Sequence, residues 1–392
     1  DSIVRVMLGR EMVLRRARGF APLPVLLPRE TEDMLAVGAH LKNTVAVARG
    51  RSVFISQHLG DLDTPQSVEA FHSELKSLQA LYAVTPTRIV SDLHPDYLST
   101  TYAHTTGIPV VGVQHPYAHV ASCMAENQLD GRVLGVSWDG TGYGPDGTVW
   151  GGEFLLTDDR GWSRVATFRT FRLPGGEAAV REPRRAALGL LVELEGLAAL
   201  NRTDLPCIAS FAPGERRVLA QMVQRGFQSP VTSSAGRLFD AVSALLGICM
   251  QSTFEGQGAM ELEFVLGSTA PGARYPFIIV PGKGDARPAT VDWGPMILEI
   301  LGDLRRGVPV PEISGRFHNT MAEIIMETAR RTGEQRVVLS GGCFQNAYLS
   351  ERTIRDLRAA GFAPYWHQRV PPNDGGIALG QIFAAVRAQH KD

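Results

Sequence analysis

A group of short apolar strands around a polar, glycine-flanked loop occurs twice in this chain, and that internal duplication constrains the fold more than any other feature. The first copy reads Leu35-Ala36-Val37-Gly38-Ala39, a loop at Leu41-Lys42-Asn43, Thr44-Val45-Ala46-Val47-Ala48, a glycine turn, then Ser52-Val53-Phe54-Ile55-Ser56. This predicts strand, tight loop, strand, turn, strand. The second copy restarts at Val133-Leu134-Gly135-Val136-Ser137-Trp138, with the loop Asp139-Gly140-Thr141-Gly142-Tyr143-Gly144 and strands at Thr148-Val149-Trp150-Gly151-Gly152 and Glu153-Phe154-Leu155-Leu156. Each meander runs on into alternating helix and strand. In the first half a helix around Ser67 to Leu81 leads to strands at Arg88-Ile89-Val90-Ser91 and Pro109-Val110-Val111-Gly112-Val113, and Gln114-His115 opens a helix. In the second half strands at Arg336-Val337-Val338-Leu339-Ser340 and Ala363-Pro364-Tyr365-Trp366-His367 lead to a helix opening at Asn373-Asp374.

The duplication divides the chain into two α/β lobes, residues 31–130 and 131–392, the second carrying a mostly helical insertion at about 185–335. Residues 1–30 read as an N-terminal hairpin running into a stiff linker around Pro22, Pro24 and Pro28. The layout resembles the doubled ribonuclease-H-like fold of sugar kinases, actin and Hsp70. That resemblance implies an α/β, two-lobed architecture with a nucleotide between the lobes, and fixes no chemistry. Glycine suits both meander loops because a Cβ would block the approach of backbone N–H groups to phosphate.

Composition narrows the class. With 39 basic and 40 acidic residues the net charge is −1, so no global field recruits nucleic acid or an anionic membrane. The cysteines, Cys123, Cys207, Cys249 and Cys343, form no C-x-x-C pair and suggest neither a zinc knuckle nor a disulfide framework. No apolar run reaches the roughly 18 residues of a membrane span, and the first residues lack a signal-peptide pattern. A cytoplasmic, unexported protein is expected.

His115 and His119 are spaced i, i+4, which puts both imidazoles on one face of a helix. The spacing by itself equally suits two histidines facing solvent. The duplication adds weight, because the helix opening at Asp374 is the counterpart of the one opening at His115 and faces it across the cleft. Asp139, in the second meander loop, points to the same floor. Two imidazoles and two carboxylates suit one divalent ion, iron, zinc or manganese, without choosing among them. Taken singly, Asp374 also reads as a helix N-cap and Asp139 as a turn residue.

Other candidates line the expected cleft. Gly140, Thr141 and Gly142, together with Ser340, Gly341, Gly342 and Asn346, read as a backbone cradle for ATP or an adenylate. Arg237 and Asp240, near the start of a helix in the insertion, are placed to contact phosphate or ribose, or to form a solvated pair. Lys42, in the loop equivalent to Asp139-Gly140, is suited to neutralise a phosphate or departing adenylate. His94 and Asp96 follow a strand at the cleft-facing end. Each of these also fits an ordinary surface loop.

Taken together, Leu41-Lys42-Asn43-Thr44, Gln57-His58-Leu59-Gly60-Asp61-Leu62, Asp92-Leu93-His94-Pro95-Asp96-Tyr97, Gln114-His115-Pro116-Tyr117-Ala118-His119, Trp138-Asp139-Gly140-Thr141-Gly142, Gly236-Arg237-Leu238-Phe239-Asp240 and Ser340-Gly341-Gly342-Cys343-Phe344-Gln345-Asn346 resemble the C-terminal half of the HypF carbamoyltransferases of [NiFe]-hydrogenase maturation. Relatives in the superfamily include the tobramycin carbamoyltransferase TobZ and the tRNA threonylcarbamoyl transferase. The resemblance implies that His115, His119, Asp139 and Asp374 hold a metal. It further implies that metal and loops bind a carbamoyl-adenylate made from carbamoyl phosphate and ATP. The carbamoyl group then passes to the C-terminal cysteine of a HypE-like partner, for cyanide ligand synthesis.

Full-length members also carry acylphosphatase-like, zinc-finger-like and YrdC-like domains. Only the stretch through Arg15-Arg16-Ala17-Arg18-Gly19-Phe20 resembles part of these, the last strands of a YrdC-like domain. Two other readings stay open: an O-carbamoyltransferase with another acceptor, and a non-catalytic nucleotide-binding scaffold.

Overall fold

Side chains alternate across the strand Pro24–Ala36, so Met34 and Ala36 enter one core while Leu35, followed by Val37, enters another. A strand buried on both faces belongs inside a layered α/β unit, and that is where the computed structural model places it. The model describes residues 1–159, 161–266, 273–283 and 287–389. The first sheet has the order Ala46–Ile55, Pro24–Ala36, Arg88–Asp92, Val110–Val113, its first pair antiparallel and the rest parallel.

The second sheet contains the same arrangement in extended form. Its order is Ile278–Val280, Ala289–Asp292, Gly161–Phe168, Gly152–Asp158, Val133–Trp138, Arg336–Ser340, Ala363–Trp366. Val133–Trp138 pairs antiparallel with Gly152–Asp158 and parallel with Arg336–Ser340, as the equivalent strand does in the first sheet. The fold is the duplicated, two-lobed α/β architecture expected from the repeated meander.

Between the sheets lie the helices His115–Glu126 and Ile377–Gln389. Ala118, Ala121 and Met124 of the first pack with Ile377, Leu379 and Phe383 of the second, against Ala36 and Val90 from one sheet and Val133 and Val338 from the other. The helices cross at Gly380, where an added Cβ would stand 1.8 Å from the Ala118 carbonyl oxygen. The last helix of the chain therefore braces the histidine-bearing helix of the first lobe.

Local details differ from the sequence expectations for identifiable reasons. The first meander has two long strands instead of three, because Ala46–Ile55 continues through Gly50, at φ +57°, where a turn was expected. The proline-rich linker is instead the start of Pro24–Ala36, with Pro24 at the strand end opposite Phe54. In the second meander Thr148–Trp150 contributes only isolated bridges through Val149, and the two outer strands are Gly152–Asp158 and Gly161–Phe168. The expected N-terminal hairpin forms from Ile3–Met7 and Arg10–Arg15.

Helices dominate the insertion, and its core joins Phe239, Trp293 and Phe317 to Trp138 and Phe154 of the large sheet. Among the described residues no helix is long and apolar enough to cross a membrane.

Candidate metal centre and nucleotide cleft

Two of the candidate side chains, His115 and Asp139, sit just beyond the carboxyl ends of strands that pair in parallel, where open α/β sheets bind ligands. Val110–Val113 ends one residue before Gln114, which occupies the N-cap position of the helix that begins at His115 without a side-chain capping bond, with Pro116 in the first turn. Asp139 directly follows Val133–Trp138, and Asp374 opens a short 3₁₀ turn before Ile377–Gln389. His115 and His119 are each 1% exposed.

Their rings stand edge to face, centroids 4.9 Å apart. His115 Nε2 lies 3.6 Å from both Asp139 Oδ2 and Asp374 Oδ1, and His119 Nε2 lies 3.3 and 3.6 Å from the same two atoms. One ligand atom from each of the four residues falls within 4.8 Å of all the others.

This donor set suits a divalent metal on two grounds. Tetrahedral sites with bonds of about 2.0–2.2 Å place ligand atoms roughly 3.3–3.6 Å apart, and the four imidazole–carboxylate separations match. His115 Nε2 is also buried without a hydrogen-bond partner among the described residues, an arrangement that is costly unless something else engages that atom.

In the metal-free cluster burial lowers the His115 pKa, but the charges of Asp374 and Asp92 outweigh it and raise it well above the ordinary value. Burial lowers His119 too, and the facing carboxylates of Asp139 and Asp374 outweigh it and raise it. Burial raises both carboxyls, and the facing imidazoles more than reverse this, so Asp139 and Asp374 fall below the usual carboxylate range.

A cleft of about 890 Å³, counted with its open mouth, adjoins the cluster through Asp139. Gly140, Arg237, Asp240, Gly342 and Asn346 line it, together with Lys42, whose ammonium pairs with Glu255 of the insertion. Burial lowers the Lys42 pKa, but Glu255 and Asp374 outweigh it and raise it. Arg237 lies 2.9 Å from Asp240, and its buried Nε finds no partner among the described residues. Asn346 caps the helix Ala347–Ala359 through Oδ1 and holds His318 Nε2 at 2.9 Å.

Other candidates stand outside the cleft lining. Thr141 is absent from it, and Gly142 packs against His115, where an added Cβ would be 3.4 Å from the ring. Ser340 is fully buried, its Oγ 2.8 Å from His367 Nε2, while His367 Nδ1 faces Glu126 at 3.2 Å. Gly341, at φ +100°, lies against the backbone of Trp138, and only its neighbour Gly342 faces the cleft. His94 stacks on Tyr97 with centroids 4.1 Å apart.

Sequence reasoning attached no role to Asp92, whose Oδ2 lies 2.7 Å from His115 Nδ1, although both residues belong to quoted motifs. The signal was topological: in the parallel pair Arg88–Asp92 and Val110–Val113, Asp92 is opposite Val113. Glu255, in an exposed loop, and Ala259 and Met260 of the apolar wall carried no sequence signal, whereas Phe239 beside them belongs to a quoted motif.

The family model described as carbamoyltransferase, Kae1-like domain, second subdomain, matches residues 135–381, and the HypF Kae1-like domain model matches residues 29–126. Carbamoyltransferase HypF of Synechocystis sp. is 41% identical over 404 residues, covering 99% of this chain and 52% of that protein. A carbamoyltransferase HypF homolog of Cupriavidus necator is 33% identical, covering 90% of this chain and 91% of its own. The crystal structure of full-length HypF in the phosphate- and nucleotide-bound form superposes with a TM-score of 0.93 at 37% identity, covering 100% of this chain and 61% of that one. The chain spans about half the length of the first curated relatives it matches.

Proposed function

The chain belongs to the HypF carbamoyltransferases, and on that premise we propose that its cleft holds a carbamoyl-adenylate and passes the carbamoyl group to the C-terminal cysteine of a HypE-like partner. One observation carries this reading: a four-residue donor cluster shares Asp139 with a cleft that Lys42, Arg237 and Gly342 also line. A mixed carbamoyl–phosphate anhydride is already activated, so the protein's task is positioning and charge stabilisation. His115, His119, Asp139 and Asp374 would hold an iron or zinc ion, which supplies Lewis-acid charge to a phosphoryl or carbonyl oxygen.

The remaining residues divide the work. Gly140 and Gly342 let the ligand approach the backbone, with the Gly342 N–H already donated to Asp139. Arg237 offers a buried Nε donor with no partner among the described residues, suited to phosphate or ribose oxygen. Lys42, kept charged at the cleft by Glu255, is placed to neutralise the departing phosphate.

In this reading the nucleophile is the partner's; Cys343, the one thiol lining the cleft among the described residues, is held above the ordinary cysteine range by burial and is no ready thiolate. The partner's thiolate attacks the carbonyl carbon, forming a C–S bond. The C–O bond to phosphate breaks, and its electron pair leaves with AMP.

Supplying preformed carbamoyl-adenylate and a peptide with the partner's C-terminal cysteine tests the reading by mass spectrometry. The peptide is expected to gain one carbamoyl mass on cysteine, with one AMP released per transfer. Tight nucleotide binding with no mass gain would instead support a scaffold, and modification of a serine-ended peptide equal to that of the cysteine peptide would point to an O-carbamoyltransferase.

A further inference from the structure

We infer that Asp92 is a positioning residue that sets the tautomer of His115, turning its Nε2 lone pair toward the donor cluster. The inference rests on the metal reading above. Asp92 ends the strand Arg88–Asp92, and both it and His115 are almost wholly buried, their side chains 1% exposed. The two atoms stand 2.7 Å apart, and a carboxylate oxygen can only accept, so the proton lies on His115 Nδ1. In the neutral imidazole that ligation requires, Nε2, buried and without a hydrogen-bond partner among the described residues, is then free to donate its lone pair between Asp139 and Asp374. Carboxylate–imidazole pairs orient metal-binding histidines in this way.

The other carboxylate oxygen of Asp92 makes the arrangement directional. Asp92 Oδ1 accepts the backbone N–H of His94 at 2.9 Å. The backbone of Asp92 is held in turn, its carbonyl accepting the Thr100 hydroxyl at 3.2 Å. An asparagine at this position has one oxygen and one NH2. If the oxygen keeps the His94 N–H, the NH2 faces His115 Nδ1 and makes that nitrogen an acceptor. The imidazole proton must then move to Nε2 and point into the cluster, where it blocks coordination. Alanine imposes no tautomer. Asp92→Asn, the nearer isostere, should therefore be the more damaging change, an order that a purely packing role would reverse.

Zinc alone, titrated into metal-free protein against a chromophoric chelator, tests this without any activity readout. Asp92→Ala is expected to weaken zinc binding roughly 10- to 100-fold, as for other outer partners of metal ligands, and Asp92→Asn to weaken it further. Zinc bound equally well by wild type and Asp92→Asn, or better by Asp92→Asn than by Asp92→Ala, overturns the inference and leaves the metal reading standing. A wild-type protein that takes up no zinc overturns both.

Histidine-selective 15N spectra of the zinc-loaded wild type give a second test that needs no folded Asp92 variant. The His115 resonance is identified by its loss in His115→Gln. A proton on Nδ1 with the metal on Nε2 supports the inference, and the opposite arrangement refutes it.

Discussion

Asp139 divides its carboxylate between two partners: Oδ2 faces His119 at 3.3 Å and His115 at 3.6 Å, while Oδ1 accepts the Gly342 N–H at 3.0 Å. The residue thus ties the donor cluster to the loop after Arg336–Ser340. The fit is close enough that a Cβ on Gly342 would sit 2.7 Å from Asp139 Oδ1.

Asp139→Asn separates the two jobs. The amide oxygen can still accept from Gly342, so the loop and the fold should persist. The NH2 then faces two imidazoles and cannot ligate, so zinc affinity is expected to drop by more than the roughly 10- to 100-fold loss of an outer partner. Calorimetric zinc titration beside a thermal melt checks this. Unchanged zinc affinity in a folded variant would remove Asp139 from the ligand set.

The metal-free cluster also predicts a pH dependence. Both imidazoles have folded-state pKa values above 6.5, since the surrounding carboxylates outweigh burial. Their contribution to stability is fully present below 6.5 and is lost as pH rises through the raised values. Asp139 and Asp374, lowered from 3.8, contribute above that value and lose their contribution as pH falls through the depressed ones. Tm of the metal-free protein should therefore fall on the alkaline side of 6.5. Ligation needs neutral imidazole, so zinc affinity should rise with pH over the same range and protons should be released. A melt and a zinc affinity both flat above pH 6.5 would contradict the cluster's electrostatics.

The duplication made the meeting of Asp374 with His115 legible, because equivalent helix starts in two copies of one unit must face each other across the shared cleft. The i, i+4 spacing supplied His119 by helix geometry alone. What stayed hidden depends on contacts between distant segments. Ser340 reads as a cradle residue, yet its hydroxyl is committed to His367, 27 positions away. Gly142 reads as a phosphate glycine, yet its nearest neighbour is the Trp150 carbonyl oxygen, 3.1 Å from where a Cβ would stand. Glu255 reaches Lys42 over 213 positions from a loop with no periodic pattern. Strand ends blurred for a different reason: Gly50 and Pro24 signal breaks locally, and sheet pairing overrides both.

The crossing of the two central helices provides the last prediction. Gly380 meets the backbone of Ala118, which lies between His115 and His119 on the same helix, and a Cβ there would be 1.8 Å from the Ala118 oxygen. Backbone cannot rotate aside as a side chain can, so Gly380→Ala must push the two helices apart. Overpacking of this kind costs about 1–3 kcal/mol, and the displaced helix carries both imidazoles with it. The expected result is a lower Tm together with weaker zinc binding, although Gly380 is not itself a proposed ligand. Gly214→Ala serves as the control, since nothing lies within 4 Å of its added Cβ in the helix Pro213–Arg225. There alanine's better helix propensity should be neutral or stabilising by about 0.5–1 kcal/mol. If Gly380→Ala melts like Gly214→Ala and binds zinc like wild type, the helix pair does not set the position of the histidines.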